Sequence, residues 1–177
     1  LPAPVDPRTN LNNQPWSQPV VFGGVTGSVR LEQALGSQWR WTAQAGTQRL
    51  QTDDRVAFPF GPNYAADHTS YAPNGDYDLY DYRSEGERRT LGALRLAVHG
   101  KVDTGSLRHD IGFGVLRSTT RERYNRQAFN YVGTGNVGTQ TPFPADPSLT
   151  GENTNRDEET TELFAHDQVR WQAWRFW

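Results

Sequence analysis

The sequence predicts an all-β fold: antiparallel up-and-down strands forming part of a transmembrane β-barrel, with long outer loops and short turns at the opposite ends. Three observations predict it. Apolar and polar residues alternate with period two in several stretches, the signature of strands whose two faces meet different surroundings. Connections alternate between short turns and long loops, the arrangement of outer-membrane barrels. Tryptophans gather beside the short turns, where an interfacial girdle would lie.

The central hairpin is Thr90 to Arg123, TLGALRLAVHGKVDTGSLRHDIGFGVLRSTTRER. Its first strand, predicted over 77–102, sets Leu94, Leu96 and Val98 on one face against Ala93, Arg95, Ala97 and His99. Asp103-Thr104-Gly105 supplies a tight turn. The second strand, 107–123, sets Leu107, Ile111, Phe113 and Val115 against Arg108, Asp110, Gly112, Gly114 and Ser118. One face is apolar and the other small or charged along both strands, which suits a wall between lipid and a watery lumen.

The flanking elements follow the same logic. The Pro- and Asn-rich start, residues 1–19, has no period and reads as a loop. A strand at 20–35 alternates Val21, Val25, Val29 and Leu31 with Thr26, Ser28, Arg30 and Glu32. Gly36-Ser37 turns the chain into a strand at 39–52, where Trp39, Trp41, Ala43 and Ala45 oppose Arg40, Thr42, Gln44 and Gln48. Residues 53–88, broken by Pro59, Pro62 and Pro73, read as a long loop whose acidic, tyrosine-rich second half extends the next strand outward. Residues 124–157 read as another long loop. A last strand at 159–171 carries Leu163, Ala165, Val169 and Trp171 on one face, interrupted by Asp167.

Composition bounds the function. The chain has 177 residues, 34% of them hydrophobic, with 17 Gly and 11 Pro, so polar loops outweigh a large core. A net charge of -2 gives no general attraction to nucleic acid. With no cysteine, disulfide frameworks, thiolate zinc sites and cysteine nucleophiles are excluded. No apolar run reaches the roughly 20 residues of a membrane helix, which leaves strand-based spanning open. The chain opens at LPAPVDP without an initiating Met and stops at QAWRFW, where another turn and strand are expected, so it reads as an excised piece of something larger.

Four stretches carry a family resemblance: NLNNQPWSQPVVF (Asn10 to Phe22), GSLRHDIGFGVLRS (Gly105 to Ser118), QAFNYVGTGNV (Gln127 to Val137) and TELFAHDQVRW (Thr161 to Trp171). Together they resemble the β-barrel of TonB-dependent outer-membrane receptors for ferric siderophores. The resemblance implies a bacterial outer-membrane location, uptake driven by the TonB energy complex through a plug, and contact with outer-membrane lipid. The family barrel has about 22 strands around a plugged lumen; this chain offers five, without a recognisable plug. It implies no catalysis and no resident cofactor, the ferric siderophore being cargo.

The resemblance also implies where ligand would sit, on aromatic and cationic side chains of the outer loops: Tyr77, Tyr80, Tyr82, Arg121, Tyr124, Arg126, Phe129 and Tyr131. Aromatic faces pack on catecholate or hydroxamate groups and arginine attracts an anionic chelate. Arg30, Glu32, Arg40, Arg95, Arg108 and Asp110 are expected to face the lumen, and Trp39, Trp41, Trp171 and Trp174 to form the membrane-interface girdle. Asp76, Asp78 and Asp81, near Asp67 and Glu85, lack the spacing of an EF-hand calcium loop and read as a solvated acidic loop. His68, His99, His109 and His166 show no metal-ligand spacing, and no nucleophile, phosphate-loop or dinucleotide motif is present. Two other readings stay open: another outer-membrane barrel, such as a porin or cobalamin receptor, and a soluble β-sandwich adhesion or carbohydrate-binding module.

Overall fold

A computed structural model describes residues 5–64, 70–139 and 141–177; Asp67 and His68 lie outside them. The described chain is all-β and antiparallel, with no helix. Its strands are β1 (Val21–Leu35), β2 (Trp39–Phe60), β3 (Asp76–Thr104), β4 (Leu107–Arg123), β5 (Ala128–Asn136), β6 (Arg156–Trp171) and β7 (Trp174–Phe176). The sheet order is β1-β2-β3-β4-β6-β7, with β5 paired to β3. The sheet is open: β1 and β7 stand at its ends and do not pair with each other.

Two expectations are corrected. β2 continues to Phe60, past Pro59, through residues that read as the start of a long loop. Asp53 is accommodated because its Oδ1 accepts the Gly86 N–H at 2.6 Å. The stretch 124–157 is not all loop, because β5 runs through it and pairs with Asp76 to Arg83. At QAWRFW, where another turn and strand are expected, the short strand β7 turns back along β6 from a reversal at Gln172, whose φ is 54°.

The chain divides into two compact units, each drawing on several strands. The first comprises Leu1–Gly23, Gln51–Arg88 and Arg123–Asn155. Its core is Ala57, Tyr77 and Leu79, with Leu11, Trp16, Val132, Val137 and Phe143 packed against them. The opening segment is fixed to the loop after β5 by a reciprocal amide clasp. Gln14 donates through Nε2 to the Thr141 carbonyl at 3.2 Å and accepts the Phe143 N–H through Oε1 at 2.9 Å. The Trp16 indole adds a bond to the Phe143 carbonyl at 3.1 Å.

The second unit comprises Gly24–Leu50, Arg89–Glu122 and Arg156–Trp177. It is a sheet with two unlike faces and almost no enclosed interior. One face carries Val25, Val29, Leu31, Leu94, Leu96, Phe113, Leu163 and Trp171, all exposed; Leu163 is 83% exposed. The other face carries Arg30, Arg40, Thr42, Arg95, His99, Asp110 and His166. Side-chain contacts fix this sorting. Trp41 Nε1 bonds Gln33 Oε1 at 3.1 Å on the apolar side, and Gln48 Nε2 bonds Thr26 Oγ1 at 3.0 Å on the polar side.

Glycines in both units make room for rings from neighbouring strands. A Cβ at Gly100 would come within 2.2 Å of the Trp39 ring, and one at Gly114 within 2.6 Å of Phe164 Cζ. One at Gly135 would meet Tyr77 Cζ at 2.5 Å. Each is a cross-strand pairing in which an aromatic ring covers the backbone that a side chain would otherwise occupy.

Candidate functional site: an aromatic face on three strands

In the first unit, β2, β3 and β5 each present two aromatic residues separated by one: Phe58 and Phe60, Tyr80 and Tyr82, Phe129 and Tyr131. Side chains two apart share a strand face, and antiparallel pairing aligns Tyr80 with Tyr131 and Tyr82 with Phe129. The six rings form one cluster. Phe129 is its hub: it stacks on Tyr80 with centroids 4.7 Å apart and an 8° tilt, and meets Phe60 edge-on at 5.7 Å. Phe58 and Tyr82 reach it at 6.4 and 6.2 Å. Such geometries are the favoured offset and T-shaped arrangements of aromatic pairs.

The cluster is an open surface, not a sealed core: Phe58, Phe129 and Tyr131 are each about half exposed. A polar edge borders it. The Tyr131 hydroxyl donates to Thr134 Oγ1 at 2.8 Å, and Thr134 in turn donates to Asp78 Oδ1 at 2.6 Å. Asp78 also accepts the Asn63 N–H through Oδ2 at 3.0 Å. This fixes the Tyr131 ring at the rim.

The opposite face of β3 and β5 is covered. Asp81 is fully buried and takes a two-point grip from Arg83, at 2.9 and 3.0 Å, with the Asp146 N–H adding a third bond at 2.9 Å. Asn130 Nδ2 holds the carbonyls of Asp146 and Ser148 at 2.9 and 2.8 Å. The loop after β5 is thereby laid on one side of these strands while the aromatic side stays open.

The structure brings together four of the expected ligand residues, Tyr80, Tyr82, Phe129 and Tyr131, and adds Phe58 and Phe60. The signal for the added pair is the repeated aromatic-x-aromatic spacing shared by 58–60, 80–82 and 129–131. Tyr77 takes another place: it is 1% exposed, over Gly135 in the core, and burial pushes its phenol pKa up with a smaller push from Tyr71. Arg126 pairs with Glu152 at 2.8 Å. The backbone of Tyr124 donates to Asn155 at 2.9 Å. Arg121 belongs to the second unit, opposite Asp157 in the β4–β6 ladder.

The acidic triplet is dispersed over separate hydrogen-bond networks. Asp76 accepts from the Tyr64 hydroxyl at 2.6 Å and from Asn74 and Asn136 at 2.7 Å, and these bonds, Tyr64's first, hold its carboxyl below the usual range. Asp78 and Asp81 are engaged as described above. Among the described residues no group of three or more His, Cys, Asp or Glu is arranged to hold a metal ion.

In the second unit, Arg30, Glu32, Arg40, Arg95, Arg108 and Asp110 alternate onto the face opposite the apolar stripe. Arg30 pairs with Glu32 at 2.7 Å, Arg108 with Asp103 at 3.1 Å, and the Arg95 guanidinium sits 4.9 Å over the Phe164 ring. Trp39 and Trp41 open β2, and Trp171 pairs with Trp174 across the β6–β7 reversal. On the apolar side, His109 Nδ1 and Asp167 Oδ2 lie 2.7 Å apart, so the aspartate that interrupts the pattern of β6 is partnered from β4. No family model, curated protein or solved structure matches this chain.

Proposed function

We propose that the chain forms part of the wall of a transmembrane β-barrel, a segment of an outer-membrane receptor for TonB-dependent uptake of ferric siderophores. The observation that carries this reading is the two-sided sheet of the second unit. Soluble antiparallel sheets turn polar residues to water and apolar ones to a core. Here both faces are open: the apolar stripe from Val25 and Leu31 through Leu94, Leu96 and Phe113 to Leu163 has no core to cover it, and the ionic residues take the other face. Lipid is the surrounding that rewards such a stripe, and a watery lumen accepts the opposite side.

Other features support the same reading. Trp39, Trp41, Trp171 and Trp174 lie beside short turns, the position of an interfacial girdle. The unpaired edges of β1 and β7 suit a sheet that continues into further strands. The open aromatic face of the first unit offers flat rings to a catecholate or hydroxamate chelate. Transport would be driven by the TonB energy complex through a plug, with the ferric chelate as cargo.

The test is fluorescence of the folded chain in phosphatidylcholine vesicles with brominated acyl chains. Quenching of the girdle tryptophans is expected. A chain that folds cooperatively as a monomer without detergent, and stays unquenched, overturns the membrane reading in favour of a soluble binding module. Titration with a ferric catecholate then reads the ligand. Quenching by lipid without any response to a ferric chelate leaves the barrel and removes the siderophore, in favour of a porin or cobalamin receptor.

A further inference from the structure

On the polar face of the second unit, two histidines from different strands meet over a glycine. His99 lies on β3 and His166 on β6, and β4 runs between them with Gly112 at the meeting point. The register pairs Gly112 directly with His166. A Cβ at position 112 would stand 2.1 Å from His166 Cε1, 2.6 Å from its Nε2 and 2.8 Å from His99 Nδ1, so one nitrogen of each ring lies close over the same glycine. The ring centroids are 5.6 Å apart, tilted by 47°.

We propose that His99 and His166 form a two-imidazole site for a divalent first-row transition metal, with Cu²⁺ bound most tightly. The spacing fits. With metal–nitrogen bonds of about 2.0–2.1 Å and ring nitrogens roughly 1.2 Å from their centroids, two imidazoles sharing an ion hold their centroids roughly 4.6–6.5 Å apart as the bond angle opens from a right angle to a line. The observed separation lies inside that range. Neither imidazole makes a hydrogen bond or ion pair among the described residues, so lone pairs are available without breaking one; the charged groups acting on His99 are Arg40, Arg95 and Asp110. No third protein ligand joins them among the described residues, which leaves the remaining positions to water. Imidazole nitrogen suits copper, nickel and zinc over the hard cations, and the stability order of the divalent ions puts copper first.

Gly112 is the positioning residue. Any side chain there would collide with the His166 ring, which lies 2.1 Å from a Cβ at that position, and displace it from His99. Sequence spacing conceals the site, because the two ligands are separated by 67 positions and are brought together only by the strand order β3-β4-β6.

The test is Cu²⁺ added to the folded chain, read by electron paramagnetic resonance and by competition with a chelator. One tightly held ion with two imidazole nitrogens in its hyperfine pattern is expected. His99→Gln and His166→Gln should each reduce the pattern to one nitrogen and weaken binding by about tenfold or more. Gly112→Ala should weaken binding with both ligands intact, and His109→Gln should leave it unchanged. A spectrum of the unsubstituted chain with one imidazole or none overturns the proposal, and needs no variant to fold. Retention of the two-nitrogen pattern in the His99→Gln or His166→Gln protein overturns it equally.

Discussion

Phe164 of β6 covers Gly114 of β4: the two are paired in register, and a Cβ on the glycine would lie 2.6 Å from the ring's Cζ. The same Cβ would press to 2.3 Å on the Leu96 carbonyl, which is backbone and cannot swing aside. Gly114→Ala is therefore expected to destabilise the second unit by about 1–3 kcal/mol, the usual cost of overpacking. Phe164→Leu, which keeps bulk but loses the ring under Arg95, should cost less, about 0.5–1 kcal/mol. Denaturant titration followed by tryptophan fluorescence checks both. Equal stability of Gly114→Ala and the parent would mean that the close approach is not there.

Phe129 touches four other rings in the first unit, and its removal should be felt through all of them. Phe129→Ala is expected to lower stability by about 1–2 kcal/mol, since each aromatic pair contributes about 0.5–1.5 kcal/mol and the ring is only half buried. The near-ultraviolet circular dichroism of the coupled rings should fall sharply. Tyr82→Ala, at the margin of the cluster, should change both quantities less. On the receptor reading, Phe129→Ala also weakens ferric catecholate binding, whereas Tyr77→Phe leaves it unchanged, because Tyr77 lies away from the open face.

Arg83 grips the buried carboxylate of Asp81 at two points, and its own side chain is only 11% exposed. Arg83→Met keeps length and packing but leaves a buried carboxylate facing fewer donors. A loss of about 3–5 kcal/mol is expected, as for other broken buried pairs. Asp146 hangs from the same carboxylate, so the loop after β5 should become open to protease before the rest of the unit. Limited proteolysis of the variant, with cleavage sites mapped by mass spectrometry, reads this order directly.

Asp76 sets the direction of a pH effect. Its hydrogen bonds from Tyr64, Asn136 and Asn74 lower its pKa in the folded state below the ordinary 3.8. The carboxylate is therefore favoured by folding. Its contribution is fully present above the ordinary value and is lost as pH falls through the lower folded value. Tyr64→Phe should move the Asp76 titration back toward its ordinary value in an NMR pH series. It should also flatten the acid limb of the stability profile. A titration unchanged by Tyr64→Phe would show that the phenol does not stabilise the charge.

The strands with clean alternation were legible because one face differs chemically from the other. β4 is read at 107–123 and observed from Leu107 to Arg123. What stayed hidden depended on partners remote in sequence. β5 reads as a loop because Gly133 and Gly135 signal a turn, yet in the fold they make room for Phe143 and Tyr77. The outer part of β2 was masked by Pro59, and it is held by a partner remote in sequence, since Asp53 accepts from a glycine amide 33 positions away. The aromatic face was half legible. Its tyrosines stood out in an acidic stretch, while Phe58 and Phe60 were lost beside a proline that the sheet tolerates.

The glycines beneath Phe164 and His166 also act as a check on assembly. In the native pairing Phe164 meets Gly114 and His166 meets Gly112. A slip by one residue would turn β6 over and send both rings to the wrong side. A slip by two in one direction sets Phe164 against Leu116, and in the other sets His166 against Asp110. Only one alignment seats both rings at once, so the pair works as a two-toothed key. A strand that docks out of step is left unlocked, free to detach and try again.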